Sequence, residues 1–184
     1  EPGFENAFQA MQALESGATA NPDEGRQVGH YWLRTPSMAP SSDVAQHVSA
    51  EVDRIEQFGQ DILKGVIKAP NGKSFTDVLW IGIGGSGLGP ILMIRALQSP
   101  CQGLPFHFFD NVDPNGMSAV FAGLKDRLDT SLVVTVSKSG GTPEPHLGME
   151  QARYRIEECG GVWAQQAVAI TMLDSRLDQQ AQSE

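Results

Sequence analysis

The stretch S-L-V-V-T-V-S-K-S-G-G-T-P-E (Ser131–Glu144) decides how the chain is read. Its first half is a short apolar, β-branched run, the composition of a strand buried on both faces. Its second half holds hydroxyls, glycines and one lysine, and Thr142-Pro143-Glu144 then opens a helix. Threonine caps a helix end, proline fits the first helical position, and glutamate suits the positive end of the dipole. A strand that feeds a Gly/Ser loop into a helix N-terminus brings N–H groups, hydroxyls and a cation to one point. The ligand chemistry that fits such a cradle is a phosphate.

Working outward, strands and helices alternate from Asp77 onward. D-V-L-W-I-G-I (Asp77–Ile83) is expected as a buried strand. Leu88 to Leu97 is expected as a helix, apolar nearly all round and so covered on most sides. Pro105 to Phe109 supplies a second strand, and Asp113-Pro114 starts a helix through Val120 and Leu124. Leu132 to Val136 is the third strand, Thr142 to Glu158 the helix after it, and Ala167 to Thr171 the fourth strand. This alternation with short connections predicts an α/β fold with a doubly wound parallel sheet. In such sheets ligands bind at the carboxyl ends of strands near the switch point, where both glycine-rich loops fall.

The upstream part reads as helical. Phe4, Ala7, Phe8, Met11 and Leu14 form a helical stripe within Phe4–Glu15. Asn21-Pro22-Asp23-Glu24 predicts a helix start, continued from Gly25 to Arg34 through Val28, Tyr31, Trp32 and Leu33. Thr35 to Ser42, rich in Pro and Ser, reads as a linker. Ser42 then caps a long helix with Val44, Val48, Val52, Ile55, Phe58, Ile62 and Val66 on its buried face, ended by Ala69-Pro70-Asn71-Gly72. The expected organisation is an N-terminal helical segment, 1–73, followed by an α/β domain, 74–184, without internal repeats.

A net charge of −9 argues against a nucleic-acid partner or an acidic membrane surface. No apolar run of about eighteen residues is present to cross a bilayer. Cys101 and Cys159 lie far apart without metal-ligand neighbours, so reduced thiols in a cytoplasmic protein, and no metal, are expected. The chain starts at Glu1 without a methionine, which suggests a fragment, so the lack of a visible signal peptide carries little weight.

A second loop, G-I-G-G-S-G-L-G-P (Gly82–Pro90), follows the first strand. Gly82, Gly84 and Gly87 satisfy G-x-G-x-x-G, and Asp110 ends the next strand roughly twenty residues on, the dinucleotide fingerprint. A lysine-bearing P-loop is excluded, because no Gly-Lys-Ser/Thr follows at the required spacing. The backbone at Gly85 and Ser86 could equally approach a sugar hydroxyl, since glycine lets the main chain come close. A dinucleotide needs one phosphate loop and leaves the Ser-Lys-Ser loop unexplained. A sugar phosphate uses both loops, and is preferred.

At these residues the chain also resembles the glucose-6-phosphate isomerase family in its bacterial form. G-I-G-G-S-G-L-G-P and S-K-S-G-G-T-P-E (Ser137–Glu144) carry the resemblance. N-P-D-E-G-R-Q-V-G-H-Y-W-L-R (Asn21–Arg34) and F-F-D-N-V-D-P-N-G (Phe108–Gly116) match in the same order. The resemblance implies an N-terminal fragment reaching through the first sugar-isomerase (SIS) domain of an enzyme that interconverts glucose 6-phosphate and fructose 6-phosphate. It implies that Gly85 and Ser86 contact the sugar. Ser137, Lys138, Ser139 and Thr142 would hold the phosphate, with Gly140 and Gly141 shaping the loop. It further implies a homodimer in the full-length protein and no cofactor.

The family's chemistry passes through a cis-enediol, with a glutamate base moving the proton between C2 and C1. Its glutamate, histidine, lysine and arginine lie in later parts of the chain. His30, His47, His107 and His146 do not match the catalytic histidine, and Glu144 does not match the base, so no catalytic residue is expected here. The alternative from another class is a non-catalytic sugar-phosphate sensor built on the same domain. A third, a dinucleotide-dependent oxidoreductase, rests on Gly82, Gly84, Gly87 and Asp110 alone.

The chain departs from the family where Pro145 replaces the usual threonine after Glu144. Pro143 and Pro145 remove two N–H donors from the first helical turn, and Pro145 also removes a hydroxyl. Pro145→Thr is therefore expected to bind phosphate more tightly than the wild type; side-by-side titrations giving equal affinities would refute this.

Overall fold

The structure, a computed structural model, describes residues 2–97 and 103–184, and Cys101 lies outside them. The chain divides into two compact units, Glu1–Gln60 and Asp61–Glu184.

The first unit holds helix α1 (Pro2–Glu15), strands β1 (Thr19–Asn21) and β2 (Arg26–Gln27), helix α2 (His30–Arg34) and most of helix α3 (Ser42–Leu63). The helix expected to start at Asn21 is replaced by an antiparallel hairpin. The Asn21 carboxamide oxygen accepts the N–H groups of Asp23 and Glu24, both at 3.1 Å, which turns the chain where a helix would propagate it. Helix forms only from His30, and the buried Trp32 indole donates to the Glu15 carbonyl at 3.0 Å.

Helix α3 spans Ser42–Leu63; Ser42, expected as its cap, is its first residue, and the capping oxygen is that of Ser41, whose Oγ accepts the Val44 N–H at 3.3 Å. It stops short of the Ala69-Pro70 breaker. The N–H groups of Gly65 and Val66 turn back onto the carbonyls of Ile62 and Asp61 at 3.1 and 2.9 Å, closing the helix with a Schellman motif. Its apolar face is not buried as expected. Among the predicted positions only Ile62 is buried, while Ile55 and Val66 are 66% and 68% exposed. The stripe is present, but among the described residues nothing covers most of it.

The second unit is built on a sheet of four parallel strands, β3 (Asp77–Ile81), β4 (Phe106–Phe109), β5 (Ser131–Val136) and β6 (Ala167–Ile170), in the order β4-β3-β5-β6. Helix α4 (Gly85–Leu97) joins β3 to β4, and α5 (Pro114–Leu124) leads toward β5. After β5 come α6 (Pro143–Glu158) and the short α7 (Trp163–Gln166); α8 (Arg176–Ser183) follows β6. The two central strands are the most apolar runs, and Leu79 and Val133 are fully buried. Helix α6 packs Met149, Ala152 and Ile156 into the same core as Leu79, Ile81, Phe109 and Val133. The chain steps from β3 outward to β4, then crosses back to pair β5 on the other side of β3. The switch point therefore lies between the carboxyl ends of β3 and β5.

Helix α4 begins three residues before the expected Leu88, placing Gly85 and Ser86 in its first turn. It is not covered on most sides: Leu88, Leu92, Met93 and Leu97 are all more than half exposed. Its composition gives it no polar face to show solvent, so the helix presents an exposed apolar surface. Helix α8 has no counterpart in the sequence reading. Cys159 is an exposed free thiol, and among the described residues no helix is long and apolar enough to cross a membrane.

The fully buried Gln166 ties this sheet together. Its Nε2 donates to the carbonyls of Leu128 and Ser131 at 2.9 and 3.0 Å, and its Oε1 accepts the Val162 N–H at 3.2 Å. Gln166→Leu leaves the buried Leu128 and Ser131 carbonyls without this donor, and the Val162 N–H without its acceptor, and is expected to lower stability by about 2–4 kcal/mol. Urea unfolding followed by tryptophan fluorescence measures it.

Candidate functional site

β3 and β5 pair without slippage, Asp77 opposite Ser131 through Ile81 opposite Thr135. The loops that leave them, 82–84 and 137–142, therefore emerge side by side at the same sheet edge. Each loop runs into a helix, so α4 and α6 both direct their N-termini at that edge. Each such terminus carries roughly half a positive charge in unpaired N–H groups. An anion can thus be favoured locally although the chain carries −9 overall.

The loop after β3 is compact because its glycines let backbone cross backbone. A Cβ on Gly87 would collide with the Gly82 carbonyl oxygen and lie 3.6 Å from the Asp110 Cβ. The Trp80 indole donates to the Ser86 carbonyl at 2.9 Å, fixing the first turn of α4. Gly85 and Ser86 thus present their backbone in an anchored turn, Gly85 exposed and Ser86 half-buried.

The loop after β5 is held by its own hydroxyls. Ser137, buried at the strand end, accepts the Gly140 N–H on Oγ at 3.2 Å, and Ser139 Oγ accepts the Gly141 N–H at 3.2 Å. Lys138 and Ser139 are exposed at the tip. Thr142 occupies the N-cap of α6 in extended geometry, with Pro143 at the first helical position and Glu144 in the first turn, as the sequence predicts. Its side chain makes no capping hydrogen bond. An N-cap hydroxyl ordinarily accepts from the second or third helical N–H, and Pro145 leaves the third without one. A small hollow beside the loop is lined by Ser137, Gly140, Thr142, Pro145, His146 and Gln180.

All of the sequence-predicted residues, Gly85 and Ser86 on one loop and Ser137, Lys138, Ser139, Gly140, Gly141 and Thr142 on the other, stand at this edge. The predicted Asp110 does too, its Oδ1 accepting from Asn111 Nδ2 at 2.8 Å. His107 does not: it bonds the fully buried Asp77 at 2.8 Å, at the amino end of β3. Sequence reasoning missed Thr171, Ser175, Leu177 and Gln180, which the turn after β6 and helix α8 bring against the second loop. The signal available was positional, because the carboxyl end of every strand in a parallel sheet meets the same edge. Among the described residues no cluster of three His, Cys, Asp or Glu side chains could hold a metal ion.

Comparison with known proteins gives one consistent picture. The phosphoglucose isomerase family profile matches residues 4–179. Over the whole chain it is 74% identical to a glucose-6-phosphate isomerase of Synechococcus sp. (strain CC9605) and 69% identical to one from Prochlorococcus marinus (strain MIT 9313). It spans about a third of the length of these curated relatives, 35% and 33%. The crystal structure of a glucose-6-phosphate isomerase from Chlamydia trachomatis superposes with a TM-score of 0.75 at 29% identity, covering 94% of this chain and 34% of that one. A hypothetical protein from Thermus thermophilus shares the fold, with a TM-score of 0.66 at 23% identity over 99% of this chain and 39% of that one.

Gly140 joins the second loop to its support. It has φ +67, and a Cβ there would strike the Leu177 backbone nitrogen and lie 2.8 Å from the Leu177 Cβ. Gly140→Ala is expected to cost about 2–3 kcal/mol, combining left-handed strain with displacement of α8. Gly84→Ala, at φ +55 with no atom within 4 Å of the added Cβ, is expected to cost about 1 kcal/mol. Chemical denaturation of the two variants measures the difference.

Proposed function

The chain belongs to the phosphoglucose isomerase family, and from that membership we propose that it forms part of a cytoplasmic aldose–ketose isomerase interconverting glucose 6-phosphate and fructose 6-phosphate. On this proposal the α/β portion, 74–184, is the first sugar-isomerase domain, and it contributes the binding loops, not the catalytic base. The observation that carries it is the convergence of two glycine-rich loops and two helix N-termini at the β3/β5 switch point.

The division of labour follows from the chemistry of each loop. Ser137, Ser139 and Thr142 offer hydroxyls, Lys138 a point charge, and the start of α6 the N–H groups that Pro143 and Pro145 leave to it, a set suited to a phosphate dianion. Gly140 and Gly141 give the loop its curvature. Gly85 and Ser86, one strand away, face the sugar. The phosphate is remote from the C1 and C2 atoms between which the proton moves. Its binding energy therefore serves to hold the sugar in register with reacting groups supplied by other parts of the protein. The whole enzyme is proposed to act as a homodimer without a cofactor.

A thermal-shift panel tests this with fructose 6-phosphate, 6-phosphogluconate, inorganic phosphate and NADH. A ligand at about a hundred times its dissociation constant adds about 2.7 kcal/mol, which for a chain of this size raises the midpoint by about 5–11 °C. A rise with the sugar phosphates that disappears in the Lys138→Ala, Ser139→Ala double variant is expected. A rise with NADH alone would contradict the proposal.

A further inference from the structure

The loop of Ser137–Thr142 is gripped from behind by the turn after β6, through its carbonyl oxygens. Thr171 Oγ1 donates to the Ser137 carbonyl at 2.7 Å and more weakly to the Lys138 carbonyl at 3.3 Å. The Met172 N–H donates to the same Lys138 carbonyl at 3.2 Å. Two successive carbonyls of the loop are therefore directed at one short turn of a neighbouring connection.

In a planar trans peptide the C=O and the following N–H point in opposite directions, and no peptide bond of the described chain is cis. Pinning the carbonyls of Ser137 and Lys138 toward the β6–α8 turn thus turns the N–H groups of Lys138 and Ser139 to the other side of the loop. The consequence for an anion is direct. Carbonyl oxygens carry the negative end of each peptide dipole, and a flip of either unit would replace an attractive N–H with a repulsive C=O.

The clamp is itself anchored. Thr171 Oγ1 and Ser175 Oγ lie 2.6 Å apart. A threonine hydroxyl has one proton, and here it is directed at Ser137, so Ser175 is the donor in that pair. The buried Ser175 Oγ in turn accepts the Asp178 N–H at 3.1 Å as the N-cap of α8. A single directed chain runs from the Asp178 N–H through Ser175 and Thr171 to the Ser137 carbonyl, each bond polarising the next. Asp174, between them, has φ +59 without being glycine. The Asp178 carboxylate, accepting its N–H at 2.8 Å, holds it there. Asp is one of the few non-glycine residues that takes this conformation readily, and the bond to Asp178 fixes the course of the turn.

We propose that Thr171, supported by Ser175, is a positioning residue that sets the peptide polarity of the anion loop and so determines its affinity for phosphate. This rests on the assignment of 137–142 to phosphate binding, and it adds a residue that does not itself touch the ligand.

The test compares the 184-residue chain as wild type, Thr171→Val, Thr171→Ser and Ser175→Ala. Inorganic phosphate is titrated while the backbone amide NMR signals of Lys138 and Ser139 are followed, with thermal midpoints as the check on folding. Thr171→Val is expected to bind phosphate about 10-fold more weakly, the equivalent of one net hydrogen bond, with those two amide signals displaced before any ligand is added. Thr171→Ser, which keeps the hydroxyl, is expected to restore both readouts; Ser175→Ala, which keeps Thr171 but loses its support, is expected to bind about threefold more weakly. Equal affinity of wild type and Thr171→Val overturns the proposal, as does a loss that Thr171→Ser fails to restore, which marks a packing role. A wild type that takes up no phosphate overturns the underlying assignment instead. Should Thr171→Val not fold, unchanged affinity in Ser175→Ala overturns the proposal in its place.

Discussion

The parallel pairing of β3 with β5 is the constraint on which the rest of the molecule depends. Its register runs from Asp77 opposite Ser131 to Ile81 opposite Thr135 without a bulge. Because the strands are parallel, both end at the same edge, and because they are adjacent, the loops that follow start one interstrand spacing apart, about 4.8 Å. A one-residue slip would turn every side chain of one strand to the opposite face, placing the fully buried Leu79 and Val133 against the wrong layer. The apolar core and the juxtaposition of the two glycine-rich loops thus share one cause.

This arrangement also bears on how an acidic chain could take the anionic ligand proposed for it. Long-range fields of a chain carrying −9 repel phosphates, but such fields are screened beyond about 8 Å at physiological ionic strength. What acts within that range is the local set: two helix N-termini, the hydroxyls of the 137–142 loop and Lys138, opposed by the carboxylates of Glu144 and Asp110. The loop's own serines hold its glycine N–H groups in the structure described, and the turn after β6 holds its carbonyls. On the proposed assignment the loop is therefore organised before phosphate arrives, which lowers the ordering cost of binding.

Much of the α/β unit was legible in the sequence. All four strands were expected within two residues of their observed ends, because buried parallel strands read as short continuous apolar runs. Thr142-Pro143-Glu144 marked the start of α6 to the residue, since each of the three has a chemical reason to stand there. Every residue assigned to the candidate site from sequence lies at the same edge of the sheet. What escaped has physical explanations. Asn21 can serve a helix start or an Asx turn, and only the folded chain shows its side chain capturing the N–H groups of Asp23 and Glu24. The periodicity of α3 and α4 reported an apolar face correctly but could not report whether this chain contains the partner that covers it; Ile55 and Leu92 are 66% and 67% exposed. Thr171 and Ser175 belong to an unremarkable T-M-L-D-S stretch; the role of Thr171 emerges only from hydrogen bonds to residues more than thirty positions away, and that of Ser175 only through Thr171.

The central claim is that the two loops form one site with divided duties, phosphate on 137–142 and sugar at 85–86. Amide NMR shift mapping of the chain, with inorganic phosphate and fructose 6-phosphate titrated in parallel, addresses it most directly. The account predicts that inorganic phosphate perturbs the amides of 137–142 and leaves those of 82–87 in place, whereas fructose 6-phosphate perturbs both sets with a single dissociation constant. Phosphate perturbing 82–87 while 137–142 stay unchanged would contradict it.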